Sequence, residues 1–365
     1  MTRPAKMQID LAALRHNCTV VSKIAPQSKI VAVIKANAYG HGAVEVAEAL
    51  QGYISMLAVS STEEAMRLRN HDIKTRILLL EGCFEDSELI CASLNNLDVV
   101  FHCKNQIEAL NKMQFVNPIN AWLKVDTGMH RLGVKIEEAV DYYQQLLASP
   151  NVNPNVILMT HIASADELDN ENTKEQLALF RELHRSLEEI TQRKIETSIG
   201  NSATIIGWES GASDWIRPGI MLYGLSPFQE ALPIDDELRP AMTLKSEVIA
   251  LHDIAKGSRV GYGSTWEAKR DARVATVAIG YGDGYPCKAT NGTPVLIRGK
   301  KASVAGRVSM DMLSIDVTDV PDVSIGDEVI LWGQALTANE IGKWSGTIGY
   351  ELVTRMPLRV PKSYC

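Results

Sequence analysis

From residue 28 onward, short runs of β-branched and other apolar residues alternate with stretches whose apolar positions recur every three to four residues. An unbroken or alternating apolar run of this length reads as a strand, and the longer spacing as one face of a helix. Strands are predicted over residues 29–35, 54–59, 76–80, 97–101, 119–125, 155–161, 195–199 and 214–217. The clearest helix covers 170–192, where Leu177, Phe180, Leu183, Leu187 and Ile190 form one stripe among charged residues. Asp10 is placed to cap an earlier helix over 11–25, which Pro26 stops. Strands that alternate with helices predict parallel pairing through crossover connections. Eight of them in roughly 200 residues fit a (β/α)8 TIM-type barrel better than an open sheet.

After about residue 232 the rhythm changes. Pro233, Pro240 and a series of glycines from Gly257 to Gly306 punctuate short apolar runs at 274–279, 294–298 and 329–331. Such punctuation predicts antiparallel strands and turns. One short helix is expected over 338–344. The chain thus divides into a barrel over 1–232 and a smaller, mostly β domain over 233–365, with residues 1–9 able to join the second. No internal repeat or low-complexity linker separates them, so the two are expected to pack closely.

Composition agrees with two domains, since 365 residues at about 150 per domain give that number. A net charge of −7 argues against general binding to nucleic acid or to an anionic membrane. No apolar run approaches the roughly 18 residues of a membrane span, and the first residues lack the apolar core of a secretion signal. Six cysteines form no C-x-x-C pair, so a reducing cytoplasm is the expected compartment. The histidines make no zinc-binding pattern, so no metal is expected.

Barrels keep their chemistry at the C-terminal ends of the strands. Those positions here hold Lys35, Lys124 with Arg131 shortly after, His161, then Asn201-Ser202, and Arg217-Pro218-Gly219-Ile220. Taken singly, each has an ordinary explanation: a solvated lysine, a hydrogen-bonded core histidine, a salt-bridge arginine, a turn glycine. Together they put a lysine, several other cations and a hydroxyl-and-glycine phosphate cradle at one mouth. A lysine among cations loses its proton more easily and can condense with a carbonyl. A Schiff-base lysine beside a phosphate site indicates either an aldolase or a pyridoxal-phosphate enzyme.

The segment Val31-Ala32-Val33-Ile34-Lys35-Ala36-Asn37-Ala38-Tyr39-Gly40-His41-Gly42 resembles the cofactor-attachment segment of bacterial alanine racemases. The likeness continues in order through Lys124-Val125-Asp126-Thr127-Gly128-Met129-His130-Arg131-Leu132-Gly133, Thr160-His161, Asn201-Ser202 and Arg217-Pro218-Gly219-Ile220-Met221-Leu222-Tyr223-Gly224. It ends through Val260-Gly261-Tyr262-Gly263, Ile279-Gly280-Tyr281-Gly282-Asp283-Gly284-Tyr285, Gly306-Arg307-Val308-Ser309-Met310-Asp311 and Tyr350-Glu351-Leu352. Nine motifs in order across both domains make a specific signal.

That resemblance implies a pyridoxal 5'-phosphate enzyme interconverting L-alanine and D-alanine with two bases, supplying D-alanine for peptidoglycan. It makes Lys35 the covalent anchor of the cofactor and the base on one face of the substrate, with Tyr262 acting on the other. His161 would assist Tyr262 and contact Arg217, and Arg217 would face the pyridine nitrogen. Tyr39, Ser202, Gly219, Ile220 and Tyr350 match phosphate ligands. Arg131, Met310 and Asp311 match substrate-binding positions, and Tyr281 lines the entrance. Lys124 matches a lysine that some relatives carbamylate. The resemblance also implies a homodimer in which Tyr262 and Met310 complete the neighbouring subunit's site. Two other readings are a broader-specificity racemase of small amino acids and a barrel-type pyridoxal-phosphate-binding protein without turnover. The β domain with Tyr262 and Met310 speaks against the second. A related decarboxylase would need a catalytic cysteine motif that neither Cys287 nor Cys365 supplies.

Overall fold

A strand covered on both faces must be apolar along its whole length, and that is how the predicted strand runs behave. The computed structural model describes residues 3–230 and 232–365; Met1, Thr2 and Ala231, which fall inside the expected domain ranges, lie outside the described residues. Eight parallel strands close into a barrel in chain order. They are β2 (Lys29–Val33), β3 (Met56–Val59), β4 (Arg76–Leu79), β5 (Leu97–Phe101), β6 (Asn120–Lys124), β7 (Ile157–Met159), β8 (Thr197–Ser198) and β9 (Trp215–Ile216). Their pairing follows the pleat. Val31, Val33, Met56, Ala58, Leu78, Val100, Trp122, Ile157, Met159 and Trp215 fill the interior. The alternate residues, among them Ala32, Leu57, Ile77, Val99 and Leu123, pack outward against the surrounding helices.

The helix ends have local causes. Asp10 accepts the Ala13 amide at 2.9 Å and starts the helix Leu11–Ile24. Asn170 does the same for Glu171–Thr191, accepting from Thr173, and Asn201 for Ser202–Gly207, accepting from Thr204 at 2.9 Å. These side chains satisfy amides that the helix itself leaves unpaired.

Strand β1 (Lys6–Ile9) precedes the barrel but does not belong to it. It pairs antiparallel with β10 (Met242–Ile254) and parallel with β18 (Lys362–Tyr364) in an eight-stranded sheet of the second domain. The sheet also holds β13 (Ala272–Val277), β14 (Pro294–Ile297), β15 (Lys300–Val304), β16 (Leu313–Asp316) and β17 (Glu328–Trp332), and β11 (Arg259–Val260) with β12 (Trp266–Glu267) forms a separate ribbon. Strand β10 pairs with both β13 and β17, folding the sheet back on itself around a core that includes Leu244, Val277, Val295, Ile315, Leu331 and Trp332.

Three features differ from the sequence reading. Strand β2 stops at Val33, so Lys35 opens a tight turn rather than ending a strand. Two short helices, Ala338–Ser345 and Gly349–Thr354, stand where one was expected. The long β10 was not anticipated; its buried Met242, Leu244, Ser246 and Val248 alternate with less buried residues, and a polar serine on the buried face hides the pattern. No helix among the described residues is long and apolar enough to cross a membrane.

The second domain sits on the barrel mouth. Tyr39 and Ile220 of the barrel half pack into the β-domain core. Gly40, at φ 82°, is so close to the helix Gly349–Thr354 that an added Cβ would fall 2.0 Å from the Val353 carbonyl oxygen. Gly40→Ala is therefore expected to cost at least about 2 kcal/mol from backbone strain and the forced separation of the two surfaces. Urea denaturation checks this; an unchanged midpoint would show that the contact is slack.

Candidate active site

The segment following β2 has an unusual backbone. Ala36, Asn37, Ala38 and Tyr39 all have φ between 49° and 54°, one turn of left-handed helix built from residues with side chains. Each such residue costs about 1–2 kcal/mol over its right-handed form. The turn persists because its polar groups are taken up from several directions. The Glu64 carboxylate accepts the Ala36 amide at 2.7 Å and the Ser60 amide at 2.9 Å. Asn37 Oδ1 accepts the Ala43 amide at 3.0 Å. The buried His41 Nδ1 lies 3.1 Å from the Ala38 carbonyl and 2.9 Å from that of Tyr39. Tyr39 stacks on Tyr223 at 4.8 Å, and the Tyr223 hydroxyl donates to the Val33 carbonyl. The effect is to hold Lys35 and Tyr39 at fixed places on the rim.

Lys35, Tyr39, Lys124, Arg131, His161, Ser202, Arg217, Gly219, Ile220 and Tyr350 line one cavity of about 760 Å³ at the barrel mouth. Four of them are cations, against Glu81 and Asp166 as the only acids in the lining. Arg217 is 4% exposed and its partners are neutral acceptors. It donates to Ser198 Oγ at 2.5 Å, to the Thr160 carbonyl at 2.7 Å and to that of Ile199 at 3.3 Å. It also lies 3.4 Å from His161 Nδ1. A guanidinium can only donate, so Nδ1 is the acceptor and the neutral imidazole carries its proton on Nε2. Burial, then the charges of Arg217, Lys124, Arg131 and Lys35, hold His161 well below its ordinary value of 6.5. Burial and then Arg217, Arg131 and Lys35 bring Lys124 down to about 8, against a small opposing pull from Asp126.

The cofactor implied by the resemblance needs an amine, an anion cradle and a dry wall, and the residues fit it. Ser202 Oγ accepts the Gly219 amide at 3.0 Å, fixing the hydroxyl at the start of the Ile220–Tyr223 turn. A Cβ on residue 219 would stand 2.6 Å from Tyr39 Oη, so glycine there is what admits the phenol. Burial raises Tyr39 to about 12 and pushes Tyr350 up as well, so both stay protonated and can donate. Hydroxyl and amide donors in a lining that carries more cations than carboxylates suit a phosphate.

Four expected residues stand elsewhere. Tyr262 is 73% exposed on a turn of the β domain, and Met310 is 54% exposed on another. Neither these two nor Tyr281 and Asp311 line the cavity of their own chain. The Asp311 carboxylate is paired with Arg359 at 2.7 Å. Sequence reasoning missed Glu81 and Asp166 in the lining. The strand-end rule applied to β4 would have found Glu81, and Asp166 lies shortly after His161 in the same loop. It also missed Ser198 and Glu64, which touch the site residues from behind.

Comparison with known proteins agrees with this arrangement. Residues 9–227 match the family described as "Alanine racemase, N-terminal domain", and residues 241–364 that described as "Alanine racemase, C-terminal domain". A Pseudoalteromonas atlantica protein named alanine racemase is 47% identical over 374 residues, covering 100% of this chain and 99% of its own. One from Pseudomonas putida, named "Alanine racemase, catabolic", is 46% identical over 362 residues and 99% of each chain. The crystal structure of a biosynthetic alanine racemase from Pseudomonas aeruginosa is similar with a TM-score of 0.93 at 43% identity, both chains being covered in full.

The crowding of cations makes one stability prediction. An ordinary lysine keeps its proton up to 10.5, whereas Lys124 in the folded chain releases it near 8. Between those values the unfolded chain binds more protons, so this position's contribution to stability rises with pH. Below about 8 the charged lysine penalises the fold by up to about 3 kcal/mol. Lys124→Met is expected to stabilise the ligand-free protein at pH 7 by about 1–3 kcal/mol, the gain fading as pH rises past 8. Urea midpoints at several pH values test it, and a gain that grew with pH would refute the cation-crowding account.

Proposed function

The chain belongs to the alanine racemase family, and from that premise we propose that it interconverts L-alanine and D-alanine at the barrel mouth with pyridoxal 5'-phosphate. It is an isomerase, an amino-acid racemase. The observation that carries the residue assignment is the convergence of Lys35, Lys124, Arg131 and Arg217 on one cavity that also holds the hydroxyls of Tyr39, Ser202 and Tyr350. When bound, the cofactor supplies an electron-withdrawing ring that acidifies the substrate's Cα–H.

The chain's own groups do the rest. Lys35, fixed by the left-handed turn, anchors the cofactor covalently and moves the proton on one face of Cα. Tyr39, Ser202, Gly219, Ile220 and Tyr350 hold the phosphate. Arg131 supplies a cation for the substrate carboxylate. Arg217 would lie against the pyridine nitrogen of a bound cofactor; already donating to His161 and to three oxygen acceptors, and always charged, it would offer that nitrogen no proton. Its role would be to keep the ring unprotonated, which would favour return of the proton to Cα over side reactions. Racemisation also needs a second base on the other face of Cα. Among the described residues that line the cavity the phenols are Tyr39 and Tyr350, and burial holds both protonated. The exposed Tyr262 serves that purpose in a neighbouring copy, so the working unit is a homodimer with sites built from both chains. D-alanine made in this way would supply peptidoglycan in the cytoplasm.

Lys35→Ala is expected to abolish the visible absorption band of the loaded protein and reduce racemisation by at least about a thousandfold, a loss typical of removing a covalent catalytic group. Retention of both would remove Lys35 from its role. Shared sites are tested by mixing two inactive chains, Lys35→Ala and Tyr262→Phe, under conditions of subunit exchange. One site of each mixed dimer then pairs intact Lys35 with intact Tyr262, and random exchange returns about a quarter of wild-type activity. No recovery after demonstrated exchange would mean that Tyr262 serves its own chain.

A further inference from the structure

Tyr281 and Met310 are large, exposed side chains with little packing to hold them, yet their backbones are tightly fixed. The Tyr281 amide donates to the Ser309 carbonyl at 3.0 Å and the Gly282 amide to the Met310 carbonyl at 2.8 Å. A Cβ on Gly280 would fall 2.2 Å from the Ser309 carbonyl oxygen, so the two loops touch backbone to backbone.

Beneath this contact lies a charge network. The Asp283 carboxylate, completely buried, accepts the Gly280 amide at 3.0 Å and is paired with Arg3 at 2.6 Å and Arg359 at 2.9 Å. Arg359 also pairs with Asp311 at 2.7 Å, and Arg3 donates to the Asp311 carbonyl at 3.0 Å. Two cations and two anions balance. They join the N-terminal arm, the Tyr281 turn, the Met310 loop and the segment before β18, four pieces far apart in sequence. A buried carboxylate between two arginines is a costly arrangement unless every partner is present, so the loops are held in one relative position.

We propose that the Arg3–Asp283–Arg359–Asp311 network is the positioning element that presents Tyr281 and Met310 to the neighbouring subunit's cavity, and that it thereby sets the affinity for alanine there. This rests on the shared-site reading above. Arg3, Asp283 and Arg359 line no part of the cavity of their own chain and match no substrate-binding position, so they act through the loops, while Asp311 ties the network to the Met310 loop.

Asp283→Asn keeps the side-chain shape and removes the charge between the arginines. It is expected to raise KM for alanine about tenfold while kcat changes by no more than about twofold, the pattern of lost ground-state binding. The visible absorption of the bound cofactor should be unchanged. Because a buried aspartate variant can fail to fold, Arg359→Gln, at a half-exposed position, provides the same readout. An unchanged KM in Arg359→Gln, or a lost cofactor band in a folded variant, overturns the proposal. Its direction is read from mixed dimers of Asp283→Asn with Lys35→Ala, isolated with two different affinity tags from the Asp283→Asn homodimers, which keep two working sites of raised KM. The one working site there takes Lys35 from the first chain and its loops from the second, so KM should return to the wild-type value. A KM that stays raised would place the effect within one chain and overturn the proposal. Failure of the Lys35→Ala with Tyr262→Phe mixture to recover would instead bring down the shared-site reading itself.

Discussion

Four positive charges share one cavity lining with two carboxylates, and most of what is distinctive at the barrel mouth follows from that imbalance. Arg217 spends its donors on a serine, two carbonyls and an imidazole, none of which neutralises it. The same field keeps His161 neutral and loosens the proton on Lys124. In a closed parallel barrel every strand points its carboxyl end to the same rim, so side chains from β2, β6, β7, β8 and β9 meet although they are scattered along the chain. A mouth with this excess of cations favours anions, and the cofactor phosphate and substrate carboxylate proposed above would be two.

Precision is added by strain. The left-handed turn after Lys35 would unwind on its own, and it is held by Glu64 from the first turn of the helix that follows β3, by the buried His41 and by the Tyr39–Tyr223 stack. The second domain presses on the same turn through Gly40 and Val353. Lys35 is therefore placed by groups from both domains, and a lysine on a plain strand end would have had far more freedom.

Much of this was legible in the sequence, for definite reasons. Buried parallel strands are written as unbroken apolar runs, so all eight barrel strands could be read, with the ends overshooting most at β7 and β8, where only two or three residues pair. The cavity residues were found because barrel chemistry follows strand ends and because the motif likeness spans both domains. What escaped depended on partners distant in sequence. The left-handed turn is invisible in Lys35-Ala36-Asn37-Ala38-Tyr39, since Asn37 alone there is of a type that favours positive φ and one asparagine does not announce four such residues. Glu64 looks like any acid in the first turn of a helix, and Ser198 like any strand serine. The Arg3 and Asp283 pairing joins opposite ends of the chain, where no local pattern reaches.

Strand β1 has a consequence for how the protein is made. Its residues leave the ribosome before those of the barrel, yet Ile9 pairs with Met242 and Met7 with Lys362. The whole barrel is synthesised in between, and domains tend to fold as they emerge. The nascent strand must therefore wait beside the barrel, with Met7 and Ile9 uncovered, until β10 has been made. Only then can the place between β10 and β18 be filled. Closing such distant pairs is slow. The protein's vulnerable period thus falls between completion of the barrel and completion of the second sheet, when one apolar strand and the gap that awaits it are both exposed.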